Sequence, residues 1–205
     1  EQKQQAKQMR EGTLPQLDRS RAEAQARLAE KTGSEFSKRC AEAMAIGVEG
    51  DLHAEAKAWR KIIKEWPHRP MPHFNLAIVL QQSGRDVEAA PMYLKAMELF
   101  DDGTQDWAES VASAFDLLKH PACDEMPKPE WWTDEALKIL SARVVAVAPD
   151  EQKRCGMRAR VLSGDALSKP PWNAGPRTAE EIKEAATWYR RAAMTALTPV
   201  VKLRF

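Results

Sequence analysis

Four histidines, His53, His68, His73 and His120, are the first residues that could do chemistry in this chain. His68 and His73 stand five apart across a proline turn, and no cysteine lies near them in sequence. A zinc site needs three or four convergent ligands. Histidines at helix ends or on the surface are therefore the expectation, with no metal and no cofactor. Cys40, Cys123 and Cys155 are odd in number and form no CxxC, which argues against a disulfide framework. Cys40 and Cys155 fall in helical patterns and read as small buried apolar groups, and the set favours a reducing compartment, cytoplasm or an organelle interior. The acid pairs Asp101-Asp102 and Glu180-Glu181 sit at predicted helix ends, where compensation of the helix dipole accounts for them. There is no glycine-rich phosphate loop, GxSxG or HExxH, so nothing marks a nucleophile or a general acid–base pair. The expectation is a protein that is not an enzyme and has no small-molecule substrate.

Two further groups could bind rather than react. Arg154, Arg158, Arg190 and Arg191 lie on the last two predicted helices, with Arg154 and Arg158 on one face. They form a candidate basic ridge that could meet RNA or an acidic protein, and an RNA-associated helical repeat is the alternative function. Against it, Lys and Arg number 31 against 30 Asp and Glu, a net charge of +1, whereas nucleic-acid binders usually carry a basic excess. Nor are stacking aromatics interleaved with the arginines. The second group is tryptophan, with seven in the chain. Trp59 and Trp188 fall on helical core faces. Trp131, Trp132 and Trp172 lie in or beside proline-rich stretches, where they either pin those loops to the body or serve as exposed binding anchors.

The elements that must position these groups are helices. Residues 1–34 are polar and rich in Gln, Lys, Arg, Glu and Ala, with good helix propensity and almost no face to bury. They form an N-terminal extension, either a solvated tail or an arm that orders on a partner. From Glu35 the chain reads as helices over about 35–48, 52–66, 72–82, 86–100, 105–119, 133–148, 150–168 and 178–197. Ser34, Thr104 and Thr133 are N-cap candidates, and Thr178 with Glu181 is a capping box. Residues 120–132 and 169–177 are proline-containing insertions, and residues 198–205 either begin another helix or end the ordered chain. No stretch approaches the length of a membrane span. Because the chain opens on Glu1 rather than Met, a removed leader is compatible with it.

A spacing of 34 residues runs through the first units: Gly50 and Gly84, Trp59 and Tyr93, Ile62 and Ala96, Ala43 and Ala77. Such a period is the mark of stacked helix–turn–helix units. The second unit, Asn75-Leu76-Ala77 followed by Gly84, Ala89, Tyr93, Ala96 and Leu99, resembles a tetratricopeptide repeat. Ala77, Ala89 and Ala96 match the small sites of that family and Tyr93 its aromatic. The first unit matches at Ala43, Gly50, Trp59 and Pro67, but Glu55 stands where a small residue is expected, and a slight register change toward Ala54 or Ala56 would restore the packing. The third matches at Trp107 and Pro149, and the fourth at Ala185, Tyr189 and Ala192.

The resemblance implies an all-α fold, a right-handed superhelix of antiparallel helix pairs with about four units over residues 35–205 and two proline-rich insertions. It implies a protein-binding scaffold, adaptor or subunit of a larger assembly. The first helices of each pair would line an apolar concave groove for a partner helix or peptide. Mapped residue by residue, that partner groove comprises Cys40, Met44, Val48, Phe74, Asn75, Ile78, Gln81, Gln82 and Phe115. Asn75 also matches one position of the clamp with which some family members hold a peptide carboxylate. The remaining clamp positions fall on Cys40, Met44, Gln105 and Glu109, which carry no cation, so no such clamp is expected. Exposed apolar groups along a groove call for a cover. It is either a segment of the same chain, such as residues 16–31 or the 120–132 insertion, or an amphipathic helix or peptide from a partner.

Overall fold

A computed structural model describes residues 19–164 and 174–197. All regular structure among them is helical. Helix α1 covers 19–32 within the described residues. It is followed by α2 (Glu35–Val48), α3 (Leu52–Glu65), α4 (Pro70–Gln82), α5 (Asp86–Leu99), α6 (Gln105–Leu118), a short 3-10 turn (Pro121–Cys123), α7 (Asp134–Val147), α8 (Gln152–Ser163) and α9 (Ala179–Leu197). The all-α class expected from the sequence holds, and consecutive helices pack side by side within α2–α4 and within α5–α9. No described helix is long and apolar enough to cross a membrane. The expectations for residues 1–18, Trp172 and residues 198–205 lie outside the described residues.

Local chemistry sets the boundaries. Ser34, Asp51, Thr104 and Thr133 each accept a hydrogen bond from the backbone N–H three residues on, satisfying a donor that the first helical turn leaves free. The Thr178 N–H donates to Glu181 Oε2 at 2.8 Å and the Glu181 N–H to Thr178 Oγ1 at 3.1 Å, a reciprocal capping box. Gly50 and Gly84, the pair that marks the 34-residue period, have φ of 87° and 70°, the left-handed region that reverses the chain between helices at little cost only for glycine. Boundaries differ from expectation in α4 and α8. α4 begins at Pro70 rather than Pro72, because proline is favoured in a first turn that needs no N–H. α8 ends at Ser163 rather than Ser168, because Gly164 takes a left-handed φ of 71° and its N–H returns to Val161 O, a glycine stop.

The chain forms two compact units, residues 1–85 and 86–205. In the first, α3 packs between α2 and α4. Its core holds Cys40, Ala43, Ala56, Trp59, Ile62, Leu76, Ala77, Val79 and Leu80. In the second, α6 packs against α5, α7 and α8, and α9 lies along α8. Tyr93, Val111, Phe115, Leu118, Leu137, Val144, Met157 and Val161 fill its core. The small residues Ala89 and Ala96 are fully buried beside Tyr93, the small–aromatic–small arrangement expected of that unit.

Candidate partner-binding site

In the first unit a cleft of about 60 Å³ opens between α2, α3 and α4, lined by Arg21, Met44, Gly47, Glu55, Asn75, Ile78, Val79 and Gln82. Its walls are apolar where Met44, Ile78 and Val79 stand, and polar at Glu55, Asn75 and Gln82. Of the groove residues read from the sequence, Met44, Val48, Phe74, Asn75 and Ile78 are half-buried, while Gln81 and Gln82 are exposed. Cys40 is fully buried, and burial pushes its thiol up to about 12, so it stays a neutral, packed group. Asn75 Nδ2 is buried without a hydrogen-bond partner among the described residues. Arg21 of α1 also lines this cleft.

Glu55 is the residue that sequence reasoning placed least well. α3 runs from Leu52 to Glu65 without a register change, and Glu55 itself is buried, 9% exposed. Its Oε1 accepts from Trp59 Nε1 at 3.1 Å. The space comes from Gly47, since a Cβ there would overlap the Glu55 carboxylate. Glycine inside a helix costs roughly 0.5–1 kcal/mol relative to alanine. Here the missing side chain on α2 admits a large one from α3. The signal was present in the sequence as a non-turn glycine facing an oversized residue, legible only with the helix pairing known.

The groove position expected on α6 is closed. Phe115 is fully buried. Trp132, from the insertion after α6, stacks near it with ring centroids 5.4 Å apart, and Trp132 is itself only 6% exposed. Trp131 packs on Trp132 at 5.7 Å. The insertion is fastened by Lys128, whose Nζ donates to Leu118 O at 2.6 Å and Cys123 O at 2.8 Å. It thereby satisfies a carbonyl that the end of α6 leaves open. Burial holds the Lys128 ammonium below its ordinary pKa. Phe115 is thus covered by the chain's own insertion, and of the tryptophan alternatives Trp132 takes the pinning role.

The basic residues are engaged. Arg154 is 6% exposed, donating to Gln105 O at 3.1 Å and facing Glu109 Oε2 at 3.5 Å. Arg158 bonds Glu184 Oε1 from Nε and Nη2 at 3.1 and 3.0 Å, and Lys138 O from Nη1 at 2.8 Å. Arg191 pairs with Asp150 at 3.0 Å, and Arg190 is exposed. Burial tends to raise the Glu109 carboxyl, yet Lys153 at 2.7 Å and Arg154 hold it below its usual range. For Asp116 burial wins over Arg160 and Lys153, and its carboxyl is raised. No group of three metal-ligating side chains occurs among the described residues.

No protein-family model matches the chain, and no curated protein matches it. Among solved structures it is similar to the crystal structure of MamA, at 13% sequence identity and a TM-score of 0.33, over 75% of this chain and 93% of that one. The all-helical class of this chain rests on its own described helices.

Proposed function

We propose that this chain is a non-enzymatic scaffold of tetratricopeptide-like units, an adaptor or structural subunit that holds a helix or peptide of a partner protein. The observation that carries the proposal is the pair of half-buried apolar side chains Met44 and Ile78, which line the cleft between α2 and α4 with polar groups at one side, with Val48 and Phe74 half-buried on the same two helices. Apolar anchors beside a few fixed polar groups suit an amphipathic helix or extended segment. A rigid helical surface lowers the entropy lost when the partner is ordered. The pairing of Arg154, Arg158 and Arg191 with carboxylates weighs against the nucleic-acid alternative, since charges already compensated release few counterions.

The test compares wild-type chain with Phe74→Asp/Ile78→Asp as bait, followed by identification and titration of the retained protein. A photo-crosslinking residue at position 78 marks the contact directly, with one at Ile139 of α7 as the control. The expected result is at least about tenfold weaker binding for the double variant, at unchanged helical circular dichroism, and crosslinks from position 78 alone. Equal binding, or equal crosslinking from both positions, rejects the groove.

A further inference from the structure

A second depression lies in the first unit, on another flank of the α2–α3 pair. Its volume is about 300 Å³, and neither α1 nor α4 borders it. The floor is small and apolar: Ala43 and Ile62 are 0% and 3% exposed, with Ile46, Ala54 and Ala58 half-buried beside them. From Ala54 to Glu65 it follows α3 for about 16 Å at the helical rise of 1.5 Å per residue. An alanine floor lets a facing backbone come close, and a trough of three turns between two helices is the shape that receives the ridge of a third.

The rims carry a readable charge pattern. Arg39 is held by Glu35 at 3.0 Å. Along the α3 rim, Lys57 and Lys61 stand four residues apart, hence on one face. Both are exposed, and neither has an ion-pair partner among the described residues. Glu42 occupies the α2 rim across from them, and Glu65, exposed one turn beyond Lys61, ends the basic stretch of the α3 rim. A helix seated in the trough would therefore place carboxylates toward Lys57 and Lys61 and a cation toward Glu42.

We infer that this trough is a second docking surface, distinct from the α2–α4 groove and independent of the proposal made for it. Its occupant is an amphipathic helix of a partner protein, with a small apolar face and two acidic residues one turn apart on one flank. Complementary rim charges set register and reject wrong partners more than they add affinity, while the half-buried Ile46, Ala54 and Ala58 supply the area to be buried.

Two synthetic helices test this. Both share one Ala/Leu face; the first carries a Glu pair at i and i+4 on the flank, the second a Lys pair there. Fluorescence anisotropy is measured against the full chain, against Lys57→Glu/Lys61→Glu, and against Ala58→Trp, which fills the trough. The expected result is preference of wild type for the Glu helix by about tenfold. That preference should invert on Lys57→Glu/Lys61→Glu, and Ala58→Trp should lose both helices. The surface lysine variant is expected to keep its circular dichroism, and Phe74→Asp/Ile78→Asp is expected to leave binding here unchanged, which separates this surface from the groove. Absence of binding, indifference to the charge swap, or loss of binding on Phe74→Asp/Ile78→Asp overturns the inference. So does concentration-dependent dimerisation of the chain alone that Lys57→Glu/Lys61→Glu abolishes, because the occupant is then a second copy.

Discussion

The carboxylate of Glu55 occupies the space that a side chain on Gly47 would need. One residue is too large for its site by the pattern of its neighbours, and the other is too small. Together they fill one volume between α2 and α3, with the Glu55 carboxylate held by the indole N–H of Trp59 at 3.1 Å.

That complementarity predicts a change of sign in a double-mutant cycle. Gly47→Ala in the wild-type background forces Glu55 off Trp59 and is expected to destabilise by about 1–2 kcal/mol, as overpacking does. In a Glu55→Ala background the clash is gone, and the same substitution is expected to stabilise by about 0.5–1 kcal/mol through helix propensity. Urea denaturation of the four chains checks the coupling, and additive effects would refute it.

The insertion after α6 makes a second prediction. Trp132→Ala removes a buried indole from Phe115 and is expected to cost about 3 kcal/mol. Lys128→Met keeps the indole but leaves the carbonyls of Leu118 and Cys123 without their donor, at about 1–2 kcal/mol. Hydrogen exchange is expected to show loss of protection at the C-terminal end of α6 in both variants. A variant as protected and as stable as wild type would place Trp132 outside the core.

Asp134 and Arg177 form a bidentate pair at 2.7 and 2.5 Å, each side chain 8% exposed. The Arg177 hydrogen bond, ahead of Lys138, holds the Asp134 carboxyl below its ordinary range. A folded pKa below the unfolded one means that the pair's contribution is present above the unfolded Asp value of about 3.9. It is lost as pH falls through the folded value. Asp134→Asn is expected to cost about 3 kcal/mol at neutral pH, the scale for breaking a buried pair. The gap between variant and wild type is expected to close as pH falls below about 4. Denaturation midpoints of both chains across that range measure it, and a gap constant with pH would contradict the linkage.

The arginines of α8 give a fourth prediction. Arg154→Ala is expected to lower stability by about 1–3 kcal/mol, because it strips the half-buried Glu109 of one of its cations. Arg158→Glu and Arg191→Glu should leave any RNA affinity weak and little changed by salt. A steep fall of RNA binding with salt, removed by Arg158→Glu, would instead support a nucleic-acid role.

Much of the fold was legible because its signals are local. Thr104, Thr133 and the Thr178–Glu181 box act within one helical turn, and Gly50 and Gly84 act within one peptide unit, so residue type and spacing sufficed to place them. Small–aromatic–small spacing at Ala89, Tyr93 and Ala96 is likewise a property of one helix face. The chain alone thus determined an all-helical array of paired helices and the starts of those with side-chain caps. Only the tertiary structure decided which apolar faces stay open. Met44 and Phe115 read alike as groove positions, yet one borders a cleft and the other lies under Trp132. The helical period says which residues share a face but not what lands on it. The fates of Glu55, Arg154 and Phe115 depended on Gly47, Glu109 and Trp132, which stand 8, 45 and 17 residues away in sequence. They meet only when the helices pack.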